Sequence, residues 1–560
     1  MKIRPSELCS DEEFLRRVHL DLTGLPPGAE ELRAFLADKR PMREKRDAVI
    51  DSLIGSPAFV DHWANKWADL LMVNSKFLGG EGSSAFRDWI RGHVERNTPY
   101  DEFVYAILTA SGSNKENPAA SYFKIHRTPD LLMENTTHLF LATRFNCNKC
   151  HDHPFERWTQ NQYYETAAYF AQVKLEADGK NSGNKRIGGT AVEGAKPLYE
   201  IAVDKPGGEV THERTGAVTA PAFPYPAQVA KDREESTRRE QLASWLTAAD
   251  NRYFAMSYAN RVWGYLLGTG IIEPLDDIRA GNPPSNPELL DHLTSEFVGN
   301  NFDVRKLIAT ICKSRTYQLA IATNKWNSDD AINFSHAKAR RLPAEVLLDA
   351  VYKVTGSKPR IEAKKADARQ DTKSGLLATL GRPPRESACE CDRSNDVQLS
   401  GVMALLTGPD VADAIADPGN AIGKLVKEVP DDRQLIEEIY LRVLNRSPGS
   451  GEVEAVLASW GQLDSDHEKV MGALAAREKE WAPVRDEREA KRQAAIQTAK
   501  STLEGYRPEH EKLQKRLAAE RETRIAEARK AVADYEAGLP KKVAEYEETV
   551  KASGLWARWH

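Results

Sequence analysis

Apolar residues recur at helical spacing through nearly all of this 560-residue chain, and strand-like alternation is confined to one glycine- and proline-rich stretch. That contrast makes the fold mainly α. The first helix opens at Ser10-Asp11, a capping pair, and carries Phe14, Leu15, Val18 and Leu22 on one face. The turn sequence Thr23–Gly28 stops it, and a second helix begins near Ala29 and includes Leu32, Phe35 and Leu36. Further helical runs cover residues 59–73, 86–96, 101–110 and 130–141, with GGEGSS and SGSNKENPAAS read as loops. Trp63, Trp67, Leu70 and Leu71 form a stripe that belongs to a packed core.

The pattern divides the chain into four pieces: a helical domain (7–175), a small β or loop insertion (176–235), a second helical domain (236–460) and a long helical arm (470–560). In the insertion, LYEIAV (198–203) and 209–223 are the strand candidates. In the second domain, Leu242, Leu246, Phe254, Val262 and Leu266 lie on helical faces that end at Gly268 and Gly270. Later helices fit 287–297, 304–314, 343–354, 397–406 and 431–444.

The arm is a different material, with interleaved charges of both signs and a sparse apolar stripe through Leu513, Leu517, Ile525, Ala528, Val532 and Tyr535. Breaks are expected near Pro508 and Gly538, with Val543, Tyr546 and Val550 folding back antiparallel on the preceding helix. Such an arm is suited to association or to spacing another domain. Trp556 and Trp559 close the chain.

Charge and cysteine use narrow the function classes. Lys plus Arg total 78 and Asp plus Glu 83, so a net charge of −5 gives no basic footprint for nucleic acid. No uninterrupted apolar run of about 18 residues marks a transmembrane span, and residues 1–22 contain no apolar signal-peptide core. Six cysteines are too few for a disulfide scaffold. Cys9 and Cys312 stand alone and read as buried, inert thiols. Nucleophile-elbow, P-loop and dinucleotide-glycine patterns are lacking.

The sharpest motif is Cys147-Asn148-Lys149-Cys150-His151, the C-x-x-C-H pattern of covalent haem c attachment. On a helical turn the two thiols share a face and each adds to a haem vinyl group, while His151 reaches the iron from the same side. Three rival readings stand beside it: a zinc site built from Cys147, Cys150, Cys389 and Cys391, a disulfide, or free thiols. A thioredoxin-like redox pair lacks its surrounding βαβ pattern. Asp152 and His153 are candidates for a proton relay or a second metal, with a plain surface histidine before Pro154 as the bland alternative. Met133 and His138, upstream on the 130–141 helix, are the candidates for a sixth iron ligand. A core methionine and an exposed histidine are the simpler accounts of those two.

Longer stretches carry a family resemblance. LRRVHLDLTGLPP (15–27), RDWIRGHVERNTPYDEFV (87–104) and FLATRFNCNKCHDHPFERWTQNQYYETAAYF (140–170) resemble the planctomycete-type cytochrome-c-like domain of uncharacterised function. NRVWGYLLGTGIIEPLDDIRAGNPPSNPELLDHL (260–293), SRTYQLA (314–320), RRLPAEVLLDAV (340–351) and GRPPRESACECDRSND (381–396) resemble the domain that habitually follows it. The resemblance spans residues 7–460. It implies an exported protein, periplasmic or at the cell surface, from bacteria rich in polysaccharide-degrading genes.

The second domain has one chemical candidate, in which Cys389 and Cys391 serve a metal or a strained disulfide. Arg385 and Arg393 would there bind a carboxylate or sulfate, and the plainer alternative is an ion-pair network of these arginines with Glu386 and Asp392. The leading functional expectation is an extracytoplasmic haem c protein. It would perform electron transfer with a redox partner protein or a haem-linked oxidation of carbohydrate. A structural or carbohydrate-binding protein with a zinc or inert Cys/His cluster is the first alternative. A metal-dependent hydrolase using His151, Asp152 and His153 is the second.

Overall fold

A computed structural model of the chain describes residues 3–154, 156–189, 194–228, 236–388 and 398–552. Of its residues 60% are helical and 5% lie in strands, which makes the fold mainly α as the periodicity requires. The chain divides into two compact units, Met1–Glu454 and Ala455–His560, taken separately below.

The first helix, Asp11–Thr23, begins where the Ser10 side chain accepts the Glu13 N–H. It ends at Gly24, whose φ of +63° closes the last turn and whose missing Cβ lets the His62 ring pack close. Helix Pro57–Leu70 buries Trp63, Trp67 and Leu70, so the tryptophan stripe is core. The second half starts at Thr237, which forms a capping box with Glu240 ahead of helix Arg238–Leu246. Helix Arg252–Leu267 stops at Gly268 (φ +83°), as the glycine predicts.

Both helical segments are present, and they share one core. A contiguous set of buried residues runs from Cys9 through Phe14, Trp67, Tyr100, Trp245 and Tyr258 to Leu441. Tyr100 stacks on Tyr258 with ring centroids 4.1 Å apart, and Trp67 lies at 5.7 Å from Tyr258. Arg46, fully buried, donates to Asp11 Oδ1 (2.9 Å), the Cys9 carbonyl (2.7 Å) and Gln318 Oε1 (3.3 Å), tying both segments together by hydrogen bonds. A smaller cluster around Leu348, Leu377 and Leu380 packs the later part of the second segment. Cys9 and Cys312 are buried, and burial pushes both thiols up, in line with the inert role expected of them.

Two local expectations change. GGEGSS is not a loop: the chain turns at Gly79 (φ +71°) and the following residues belong to helix Ser75–Glu95. The insertion does not make its sheet alone, because Glu200–Asp204 is the central strand between Val173–Ala177, which begins in the first segment, and Gly112–Ser113, which lies wholly within it. An apolar window, Leu399–Ala416, has a mean hydropathy of 1.2. It is two helices, Leu399–Thr407 and Pro409–Ala416, divided at Gly408, and each is far shorter than the ~20 residues that span a bilayer.

The second unit takes in the end of helix Ser450–Trp460 and then the helix Leu463–Ala552, of 90 residues. The expected bends at Pro508 and Gly538 and the antiparallel fold-back are absent, since the helix runs through Pro483, Pro508 and Pro540. Trp556 and Trp559 lie outside the described residues.

Burial leaves a pH-dependent signature. His126 is buried against Tyr122, and burial holds its imidazole down to about 3. Above pH ~6.5 neither the folded nor the unfolded chain protonates it. Below that value the unfolded chain gains a proton that the fold refuses until about pH 3, so stability falls as pH drops. Unfolding free energy at pH 5 is therefore expected to carry a penalty of about 2 kcal/mol from this residue relative to pH 7. His126→Phe should flatten that part of the pH profile, measured by denaturant titration at both pH values.

Candidate functional site

The C-x-x-C-H motif begins on a 3-10 turn, Asn146–Lys149, which Cys150 ends and His151 follows, between helices Pro129–Leu141 and Gln160–Ala167. A 3-10 turn has three residues per turn, so Cys147 and Cys150 fall on the same edge. Both thiols are free and exposed, and His151 is exposed beside them. The His151 Nδ1 sits 2.7 Å from the Asp152 carbonyl oxygen. A carbonyl only accepts, so Nδ1 carries the proton, and in the neutral ring the free lone pair is on Nε2.

The turn is held from beneath. Asn148 is fully buried and donates to the Trp158 carbonyl (2.7 Å), while Gln160 donates from Nε2 to the Lys149 carbonyl (2.9 Å). The Tyr164 hydroxyl reaches the same carbonyl (3.0 Å), and Lys149 pairs with Asp130 at 2.8 Å. Asp152 closes the loop by accepting the Gln160 backbone N–H (2.7 Å), and the His153 N–H donates to the Trp158 carbonyl (2.9 Å). Two buried amide oxygens, Asn148 Oδ1 and Gln160 Oε1, lack hydrogen-bond partners among the described residues, so the underside of the turn is polar.

The second segment supplies a further wall. Glu156 accepts from the backbone N–H groups of Ala280 (3.2 Å) and Gly281 (3.1 Å). Arg157 donates to the Tyr253 hydroxyl (3.0 Å) and lies 4.4 Å over the Trp158 ring. Buried Asp276 accepts from His138 Nε2 (2.8 Å) and from Arg144 (2.6 Å), and the Ile278 N–H bonds the Ala142 carbonyl (2.8 Å). Burial alone would raise the Asp276 carboxyl, yet the His138 and Arg144 donors hold it well below the usual carboxylate range. Sequence reasoning missed Glu156 and Asp276. Both sit inside stretches already singled out, HDHPFERW and EPLDDIRAGN, and nothing local says that the two stretches meet.

Several candidate residues serve elsewhere. Met133 is packed in the core, where Thr137 Oγ1 lies 3.9 Å from its sulfur, and His138 commits Nε2 to Asp276. Neither is placed as a free donor for iron. Arg385 is buried and spends its guanidinium on Asp69 (2.7 Å), Asn65 (2.8 Å) and the Val73 carbonyl (3.3 Å). The ion-pair account of Arg385 is thus the better one, with Asp69 as its partner; Glu386 pairs instead with Lys76 at 2.6 Å. Cys389, Cys391, Asp392 and Arg393 lie outside the described residues.

The donor set suits covalent haem: two accessible thiols on one edge and a histidine whose Nε2 is the lone-pair nitrogen. No three His, Cys, Asp or Glu side chains converge as a metal centre among the described residues, so His151, Asp152 and His153 are not gathered into one there; the four-cysteine zinc set includes Cys389 and Cys391, which lie outside the described residues. An aromatic cavity of about 40 Å³, lined by Trp63, Trp67, His93 and Tyr258 among others, is built from different residues than the turn. A group held at Cys147 and Cys150 would therefore lie against an exposed surface.

Residues 1–175 match the family model PSCyt2, described as a protein of unknown function (DUF1549), and residues 238–460 match PSD1, likewise described (DUF1553). The order agrees with the resemblance in the sequence. No curated protein and no solved structure matches the chain.

Two outcomes test this site. Asp276→Asn removes the charge that two donors share and is expected to cost about 1.5–3 kcal/mol of unfolding free energy. Glu156→Ala should leave global stability within about 1 kcal/mol, yet hydrogen exchange at the Ala280 and Gly281 amides should accelerate. Unchanged exchange would mean that the carboxylate does not clamp that loop.

Proposed function

Starting from a chain that carries a PSCyt2 domain followed by a PSD1 domain, we propose that the Cys147–His151 turn is the attachment point of one covalent haem c. On this reading the protein works outside the cytoplasm in electron transfer or in a haem-linked oxidation. The supporting observation is the pairing of two free, exposed thiols three residues apart with a histidine whose Nδ1 is already committed to the Asp152 carbonyl.

Cys147 and Cys150 would hold the haem through thioether bonds, and His151 would offer its Nε2 lone pair to the iron. The Asp152 carbonyl fixes the imidazole plane and tautomer, and Asn148, Gln160 and Tyr164 keep the turn from relaxing. The bound haem supplies one-electron chemistry that no side chain here provides. Asp152 and His153 act as neighbours that tune the proximal side, and this reading draws on neither Met133 nor His138. Attachment of haem c after export gives the periplasm or cell surface as the location. A redox partner protein, and carbohydrate as the substrate class, follow from the family resemblance alone.

Expression of the full chain with haem c maturation machinery tests the proposal. The expected result is an intact mass one haem above the polypeptide and a Soret band that survives acid–acetone extraction. Cys147→Ser/Cys150→Ser should lose the pigment while keeping unfolding free energy within about 0.5 kcal/mol, because both side chains are exposed. A bare polypeptide mass from the unsubstituted chain overturns the proposal.

A further inference from the structure

We propose that the helix Leu463–Ala552 is a self-association element that pairs side by side with the same helix of a second copy of this chain. The element carries an apolar stripe that stands exposed among the described residues. Tyr506 (53% exposed), Ile525 (42%), Val532 (56%), Tyr535 (58%) and Tyr546 (70%) mark its course. From Leu503 to Tyr546 the stripe advances 43 residues in twelve steps of three or four, about 3.6 per step, interrupted only at His510 and Arg521. A period of 3.6 keeps the stripe on one face of a straight helix, whereas a strict 3.5 would wind it into a supercoil. Over 43 residues it extends about 65 Å.

Three observations point to a second copy as the occupant. First, the helix passes through Pro483, Pro508 and Pro540, each of which removes an intrahelical hydrogen bond. Its exposed pairs, such as Lys491–Glu487 and Arg516–Glu520, return only small amounts, so a helix this long needs lateral packing. Second, residues 463–552 contain 19 Lys or Arg and 19 Asp or Glu, interleaved and with a net charge of zero. Two copies therefore meet without net repulsion, and charges of both signs flank the stripe on each. Third, only another long, straight helix covers a stripe of this length from end to end, and a second copy brings one of matching length and period.

Sedimentation velocity of the full chain between 1 and 50 μM provides the test, with three variants. Ile525→Asp and Val532→Asp place a charge on the stripe, and Ala519→Asp places the same charge on the opposite face, two residues beyond Leu517. The expected result is a species of about twice the 62.5 kDa chain mass at the upper concentrations, for both the unsubstituted chain and Ala519→Asp. The stripe variants should sediment as monomers, with an association constant at least tenfold weaker and an unchanged thermal transition for residues 3–454. A monomer throughout for the unsubstituted chain overturns the proposal. So does a dimer that survives both stripe substitutions, or one that Ala519→Asp disrupts equally.

Discussion

The stacking of Tyr100 on Tyr258, with Phe254 at 4.5 Å and Trp67 behind, is the contact on which the rest of residues 3–454 depends. It joins helices from either side of the insertion through rings that are nearly free of solvent. Aromatic pairs of this kind contribute about 0.5–1.5 kcal/mol beyond the burial of their area. Because the two segments are fused there, the loop carrying Glu156 rests on the backbone of Ala280 and Gly281, and Asp276 reaches His138 and Arg144. The C-x-x-C-H turn is therefore supported by both family segments, although the motif belongs to only one.

Burial sorts the cysteines by chemistry. Cys9 and Cys312 are enclosed, and burial raises both thiols, which keeps them as thiols and unreactive. Cys147 and Cys150 stand at the surface beside an exposed histidine. The side chain between them, Asn148, points inward and is fully buried, so the turn is anchored by its middle and presents its ends.

Much of the helical architecture was legible, because caps and breakers are local. Ser10, Gly24 and Gly268 bound their helices by the geometry that their residue types favour. The core tryptophans and the core placement of Met133 also followed from spacing and apolarity. What escaped was non-local. The strand Glu200–Asp204 needed Gly112–Ser113 as an edge, and Arg385 needed Asp69, residues far apart in the chain. The motif turn is 3-10 where the spacing suggested an α-turn, because Asn148 and Gln160 draw the loop onto Trp158 and Lys149. The long arm differed in the opposite sense: Pro508 and Pro540 were read as breaks, yet the helix continues through them.

The central claim is that the two family segments fold as one body, with the C-x-x-C-H turn supported at their seam. Urea unfolding of a fragment spanning residues 1–235, followed by tryptophan fluorescence and far-ultraviolet circular dichroism, tests it most directly. The account predicts no cooperative transition for the isolated fragment, because Trp67 and Tyr100 lose the Tyr258 face that completes their packing. A single sharp transition, coincident by both probes and with the Cys147 and Cys150 region protected as in the full chain, would contradict it.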